Sequence, residues 1–532
     1  MLEWIKKDEG GSERPMHDPA AAARLLAEMC AADPLIALND LRGWLDTVAA
    51  SQAPDEQRRG EILALAQDAG QAHSITLLAQ YLGRPVEGKR GREANWIALV
   101  DYLKSLTEAL AASATRLLAR AQADGAQQHG GAVCAARALN AARMLAKACL
   151  VRYHAVPPSL WRMAYSVHER AEKADCAATS VRIHAAQHLA SSPTQELLQL
   201  LMLQSCAPEM LAPAEIEVAD RVTEQIGADF TLRPPRVLDN VFCFDPASDH
   251  PPMRTGARAP GSAADVRCFG AGVGLDALQR LYRQLVSARG REATPFGKDI
   301  PSYTQISAIQ HLLGFWGATS PYKARAHAPA AGELRVVHGY GQVWQQLSSA
   351  GAGEFELSLV EDGDGPPQAP ETWQLRDSGG NELVADAPKG GADWARCGDV
   401  VGVLAPGEKT WWPCVIRSLH AEPGHELHVT LYVLSRAPQA VKLQARIEPG
   451  EEAVYTGEAA RQFDFNSVRA IIVSDGAAGS QAANMLLAPD GWKAGRIYEL
   501  ASEGAARNLR ALQLLRRRDD YVRATFEWSA GS

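Results

Sequence analysis

No stretch of this chain stays apolar for the about 18 residues that a bilayer crossing needs. The opening segment, Met1-Leu2-Glu3-Trp4-Ile5-Lys6-Lys7-Asp8, turns polar before a signal core can form. Paired cysteines are missing too. Cys30, Cys134, Cys149, Cys176, Cys206, Cys243, Cys268, Cys397 and Cys414 are odd in number and none forms a CxxC, which excludes a zinc knuckle or disulfide framework and fits reduced thiols in a cytoplasm. Positive charge is in deficit: the formal net charge of −8 leaves no sequence-wide field to draw in a nucleic acid or an anionic membrane. The densest basic run, Arg516-Arg517-Arg518 with Arg523, is followed by Asp519 and Asp520 and reads as a solvated, self-paired surface. There is no GxSxG elbow, Walker phosphate loop or kinase signature. We therefore expect a soluble cytoplasmic protein that is not an enzyme, holds no metal or cofactor, binds no nucleic acid and does not insert into a membrane.

What is present is ordinary globular composition, 46% hydrophobic and 22% charged over 532 residues, enough for about three domains. From 18 to 231, Ala, Leu, Gln, Glu and Arg dominate and apolar residues return every three or four positions, as in Ala21 to Cys30, Pro34 to Ala49, Arg59 to Ala69 and Ala94 to Ala121. That period predicts an all-α domain of roughly ten helices. Residues 232–265 dissolve into Pro, Asp, Gly, Ala and Arg and read as a loop or linker. Residues 266–325 read as a helical connector, with helices at Leu275 to Arg289 and Tyr303 to Trp316.

From 326 to 450 the period becomes alternating. Glu354 to Val360, Asp399 to Leu404, Trp411 to Arg417, Glu426 to Leu434 and Val441 to Ile447 read as strands, closely spaced enough for an antiparallel barrel. Residues 451–532 read as a β-rich extension, with strands at Ala470 to Val473, Gly495 to Leu500 and Tyr521 to Trp528. The fold class expected is thus multidomain α and β, an N-terminal all-α domain followed by a C-terminal antiparallel β-barrel region. No internal repeat is legible.

Two short motifs have spacings that touch on known chemistry. His184 and His188 would share a helix face at metal-ligand spacing, but Ala185 stands where a metalloprotease needs Glu, so a plain helix surface is the better reading. Gly270-Ala-Gly-Val-Gly274 precedes a helix, yet Leu275 stands where the dinucleotide fingerprint requires its last glycine, which leaves a loop feeding a helix.

The order of Leu25-Leu-Ala-Glu28, Asp33-Pro34, Trp44-Leu45, Leu78 to Leu82, Trp96 with Tyr102-Leu103, Arg152-Tyr153, Leu160-Trp161 and Ala171-Glu172 resembles a family of proteobacterial cytoplasmic proteins. These carry an N-terminal helical region and a PilZ-like domain, and are often described as cyclic di-GMP receptors. Leu312-Leu313, Trp316, Tyr322 to His327, Leu334 to Gly339, Trp373 to Gly380, Cys397 to Val403 and Trp412 to Arg417 continue the likeness. PilZ domains grip the nucleotide with an RxxxR loop and a [D/N]xSxxG motif, guanidinium groups stacking on guanine and forking onto phosphate. This sequence departs at both. Pro321 and Pro329 flank Arg325 at the four-residue spacing, and only Lys323 and His327 keep that spacing; Asp377 and Ser378 fit the second motif in neither register.

What the resemblance implies is a non-enzymatic regulatory or scaffold protein with a degenerate PilZ-like domain. It would act through protein partners in cyclic di-GMP-related surface behaviour such as motility, adhesion or polysaccharide output. The rival is a working cyclic di-GMP receptor whose ligand site is Lys323, Arg325, His327, Asp377 and Ser378. A third reading is an unrecognised enzyme using the long central loop as a lid.

Overall fold

The computed structural model describes residues 18–50, 55–83, 89–120, 125–184, 190–233, 240–255, 266–287, 295–319, 321, 328–349, 369–388, 394–421, 426–446, 467–474, 482–500 and 507–529. The chain divides into two compact units, Met1–Pro208 with Pro213–Tyr322, and Glu209–Ala212 with Lys323–Ser532.

The first unit is built from α1 (Pro19–Met29), α2 (Pro34–Ala50), α3 (Glu56–Leu82), α4 (Lys89–Arg120), α5 (Gly125–Leu150), α6 (Pro158–Lys173), α7 (Pro193–Gln204) and α8 (Pro213–Ile226). The prolines that punctuate the sequence open helices. Their fixed φ suits the first turn, where no N–H partner is needed. Beside them Asp18 accepts from the N–H groups of Ala20 and Ala21, Asp33 from that of Leu35, and Ser192 from that of Gln195.

Four short strands follow: β1 (Thr231–Arg233), β2 (Phe242–Phe244), β3 (Met253–Arg254) and β4 (Arg267–Gly270), in the order β1-β4-β2-β3. The stretch expected as a linker thus contributes strands to a sheet. Its aromatics hold it: Phe242 stacks on Phe269, and Phe244 on Tyr165 of α6. Helices α9 (Gly274–Ser287) and α10 (Ser302–Trp316) complete the unit. The glycine-rich turn between β4 and α9 serves packing. Gly272 has φ +55°, and a Cβ there would sit 2.6 Å from the Asp229 carbonyl.

Helix α5 is the centre of the unit. Its alanines, among them Ala132, Ala135, Ala138, Ala142 and Ala146, are buried and let neighbours approach closely. Between them Arg137, Asn140, Arg143 and Lys147 form a buried polar stripe at helical spacing. Each residue finds partners on another helix. Arg137 donates to Asp68 of α3 at 3.1 Å, and Asn140 to Glu196 of α7 at 3.0 Å. Arg143 binds Asp220 of α8, and Lys147 reaches Asp220 at 2.6 Å and Glu217 at 3.0 Å. Burial alone would raise the Asp220 carboxyl, but Arg143 and Lys147 outweigh it and hold it below the usual range. At Glu196 burial wins, and its pKa is raised despite nearby Arg143.

The second unit is two closed antiparallel barrels. Strand β5 (Ala328–His338) is followed by α11 (Tyr340–Ser349), then β6 (Glu371–Gly379), β7 (Glu382–Ala387), β8 (Val400–Leu404), β9 (Trp412–Ala421) and β10 (Leu427–Val433). These strands close in the order β10-β7-β6-β5-β8-β9. Strands β11 (Gln439–Ala445), β12 (Ser467–Ser474), β13 (Ala482–Leu487), β14 (Ile497–Leu500), β15 (Arg507–Arg517) and β16 (Val522–Ser529) close in the order β11-β12-β13-β16-β15-β14. Counted from its own first strand, each ring runs first, second, third, sixth, fifth, fourth, so the barrels share one topology. The segment expected as an extension supplies five strands of the second barrel. Glu354 to Val360, expected as a strand, lies outside the described residues.

Alternate residues fill each barrel: Val429, Leu431 and Val433 point inward on β10, and Tyr498, Leu509, Met485 and Phe526 pack in the second barrel. Helix α11 lies between the barrels. Tyr340, Val343 and Leu347 join Val337, Val400 and Trp411 from the first barrel to Ile471, Val473, Leu486 and Tyr521 from the second. The Tyr521 hydroxyl donates to the Gly398 carbonyl at 2.8 Å, and Asp520 accepts from the Tyr340 N–H at 3.2 Å.

Removing one member of a buried ion cluster strands the others without compensation. Asp220→Ala should therefore cost about 3–5 kcal/mol in the helical unit, read as a lowered urea midpoint by helical circular dichroism; a loss under about 1 kcal/mol, the range of a surface pair, would contradict the assigned role.

Candidate functional site

Of the five residues expected to form a ligand site, Lys323, Arg325 and His327 lie outside the described residues. Asp377 and Ser378 are half-buried near the end of β6. Ala328, next in sequence to His327, opens β5 opposite Ser378, and Pro329 stands opposite Asp377.

Across the outer face of β6, β7, β10 and β9 the register sets out charged residues that the sequence did not single out. His428 lies opposite Asp386, and Tyr432 opposite Glu382. Two bulges displace one residue each: Arg376 at the β6–β7 register shift and Arg417 at the β9–β10 shift. A bulge re-aims a side chain. Here each arginine reaches a carboxylate on β7, Arg376 binding Asp386 and Arg417 binding Glu382. His428 also bonds Asp386 through Nδ1, and Arg417 stands over the Tyr432 ring. Glu382 and Asp386 are 1% and 2% exposed, so side chains on an outer barrel face have buried both carboxylates. From sequence, Glu382 looks hostile to a bound phosphate; in the fold Arg417 neutralises it.

One more arginine borders the β6–β7 hairpin. Arg436 follows β10, donates to the Gly380 carbonyl at 2.8 Å, and lies over the Trp412 ring at 4.7 Å. An arginine stacked on an indole keeps its guanidinium ordered and weakly hydrated. Nothing in the sequence marked it, because its partners come from β9 and the hairpin.

The helical unit offers a separate cleft of about 510 Å³, lined by Ser180, Ser191, Ser192, Thr194, Phe230 and Arg233 among others. Much of its polarity is already spent: the Ser191 hydroxyl donates to Glu196 at 2.6 Å and that of Thr194 to the Ala177 carbonyl at 3.0 Å. His184, expected on a helix with His188, lies in a bend and bonds Asp68 at 2.6 Å, while His188 is outside the described residues. Among the described residues no group of three or more His, Cys, Asp or Glu could hold a metal ion. Burial pushes the Cys134 thiol up to about 11 and the Cys149 thiol up to about 12, so both stay protonated at neutral pH. Among the described residues no helix is long and apolar enough to cross a membrane.

Residues 20–236 match a family model described as the N-terminal domain of the cyclic-di-GMP receptor FimW. No curated protein and no solved structure matches the chain. The matched residues end ahead of both barrels, so the likeness belongs to the helical unit, whereas Asp377, Ser378 and the arginine-lined face belong to the other.

Asp386 provides a pH test of the outer face. Burial raises its pKa, but the bonds from Arg376 and His428 and their charges more than offset this, leaving it below the ordinary carboxylate range. A folded-state pKa below the unfolded one gives stability that is present above about pH 4 and is lost as pH falls through the folded value. Asp386→Asn should flatten the decline of barrel stability between about pH 5 and pH 2, measured by denaturant midpoints; an unchanged slope would mean the contacts are not formed in solution.

Proposed function

We propose that this chain is a non-enzymatic cytoplasmic receptor in cyclic di-GMP signalling, whose helical unit works through protein partners and whose first barrel is a PilZ-like domain with a replaced signature. The observation that carries this reading is the match of residues 20–236 to the cyclic-di-GMP receptor model. It is supported by the closed six-stranded barrel that follows and by the register of β5 against Asp377 and Ser378. Surface behaviour such as motility, adhesion or polysaccharide output is the output this reading assigns.

In this reading the nucleotide sits at the β6–β7 hairpin. Lys323, Arg325 and His327 supply cations from the segment before β5, Asp377 and Ser378 supply polar groups, and Arg436 supplies the stacked guanidinium that a guanine face favours. The departure from RxxxR favours a second reading, a scaffold that keeps the barrel for its surface and has lost the ligand.

Titration calorimetry of the full chain with cyclic di-GMP, and cyclic di-AMP as control, separates the two. The receptor reading expects selective binding at about micromolar Kd, weakened about tenfold or more by Arg436→Ala or Arg325→Ala. Binding unaffected by either substitution would move the ligand elsewhere, with the cleft at Arg233 next to be tested. Absence of heat at high protein concentration would leave the scaffold.

A further inference from the structure

The four-stranded sheet of the helical unit sets two free thiols against each other. Cys243 on β2 stands directly opposite Cys268 on β4. The Thr255 N–H donates to the Val241 carbonyl at 2.8 Å, which continues the β2–β3 register of Phe242 with Arg254 and Cys243 with Met253. Backbone polar groups alternate sides along a strand, so those of Val241 and Cys243 face β3 and those of Phe242 and Phe244 face β4. Cys243 and Cys268 are therefore a non-hydrogen-bonded pair, the closer of the two kinds in an antiparallel ladder, with Cα atoms about 4.5 Å apart. A disulfide spans Cα separations of about 4.4–6.8 Å.

Cross-strand partners share one face of a sheet. Phe242, Phe244 and Phe269 take the other face, where Phe244 stacks on Tyr165 of α6, so no aromatic ring comes between the two sulfurs. Both cysteines are buried, Cys243 at 1% and Cys268 at 6% exposed. The Cys243 thiol is pushed up first by burial and then by Cys268 itself. The other cysteine on a described strand, Cys414, faces Val401 and Val433, so among the described strands this pairing of thiols occurs once.

We infer that Cys243 and Cys268 close a reversible disulfide under a peroxide oxidant and so clamp β2 to β4. Cys268, the more exposed sulfur, attacks first as its thiolate: an S–O bond forms, the peroxide O–O bond breaks, and the departing hydroxide takes up a proton to become water. The Cys243 sulfur then displaces the sulfenic hydroxyl. The S–S bond forms, the S–O bond breaks, and the Cys243 thiol proton leaves with the oxygen as a second water. Two electrons pass from the thiols to the peroxide, and a dithiol reductant returns them by exchange. Strands β4 and β2 are the middle of the order β1-β4-β2-β3, so the bond ties the sheet at its centre and holds Phe244 against Tyr165. In the reduced chain β2 and β3 are only 3 and 2 residues long, short for strands that must hold by ladder bonds alone.

Hydrogen peroxide treatment of the full reduced chain, followed by blocking of the remaining thiols and tryptic mass mapping, tests this. Cleavage after Arg236, Arg254, Arg267 and Arg280 leaves each cysteine in its own peptide, residues 237–254 and 268–280. Expected is a linked pair of these peptides, lighter than their sum by the hydrogens of both thiols. The chain should stay single on a non-reducing denaturing gel, and the link should vanish with dithiothreitol. The melting temperature of the oxidised chain, followed by helical circular dichroism, should rise by about 5 °C, a rise reversed by dithiothreitol and missing in Cys243→Ala. The inference is overturned if no such linked peptide forms, including the case of sulfinic acid at Cys268 alone. A link that forms only in urea, or that leaves the melting temperature unchanged, overturns it too, as does a rise that Cys243→Ala retains. Should that variant fail to fold, the wild-type map and the reversal of its melting shift by dithiothreitol decide.

Discussion

Burying Arg137, Arg143 and Lys147 on one face of α5 obliges the surrounding helices to supply carboxylates at fixed heights, and the arrangement of the helical unit follows from that demand. Asp68 fixes α3, Glu196 fixes α7, and Glu217 with Asp220 fixes α8. Apolar packing between alanine-rich helices tolerates sliding and rotation, since one small side chain fits where another did. Charged pairs out of water do not. Their worth lies less in net stability, which desolvation largely cancels, than in forbidding the other registers. The carboxylates are also tuned in opposite directions by their surroundings: Asp220 between two cations stays ionised more easily than usual, while burial pushes Glu196 the other way.

The barrels show a different economy. Their shared strand order is invisible in the sequence because a barrel asks only for alternation, and alternation can be met by unrelated residues: Val429, Leu431 and Val433 in one, Leu509, Ala511 and Leu514 in the other. Bulges are where each barrel departs from the common plan. In the first they aim Arg376 and Arg417 at carboxylates on β7; in the second they turn leucines outward.

Legibility in the sequence followed physical range. Helices α1 and α2, with Asp18-Pro19 and Asp33-Pro34 at their starts, and strands β8, β9 and β10, with regular alternation, were readable because their signals are local. Strand β5 was not, since its first residues, Ala328 to Gly332, resemble a break and become a strand only by pairing with β6. Strand β15 was hidden because its bulges destroy the period. The short strand β2 is held by Phe242 and Phe244 stacked on Phe269 and Tyr165, and β3 only pairs with it, so neither is marked by its own neighbours in sequence. At the candidate site, Asp377 and Ser378 are legible through family likeness, whereas Arg376, Asp386 and His428 meet only through cross-strand register and Arg436 meets Gly380 and Trp412 only in the fold, and no single segment encodes either.

The wedge formed by α11 has a consequence for how the barrels exist at all. Tyr340, Val343 and Leu347 are covered on one side by the first barrel and on the other by Ile471, Val473 and Leu486 of the second, so neither barrel owns the core between them. Cutting the chain in the short connection from Leu434 to Pro438 would leave each half with an uncovered apolar face of the kind that drives aggregation. The two barrels thus share one core through α11, which couples their folding.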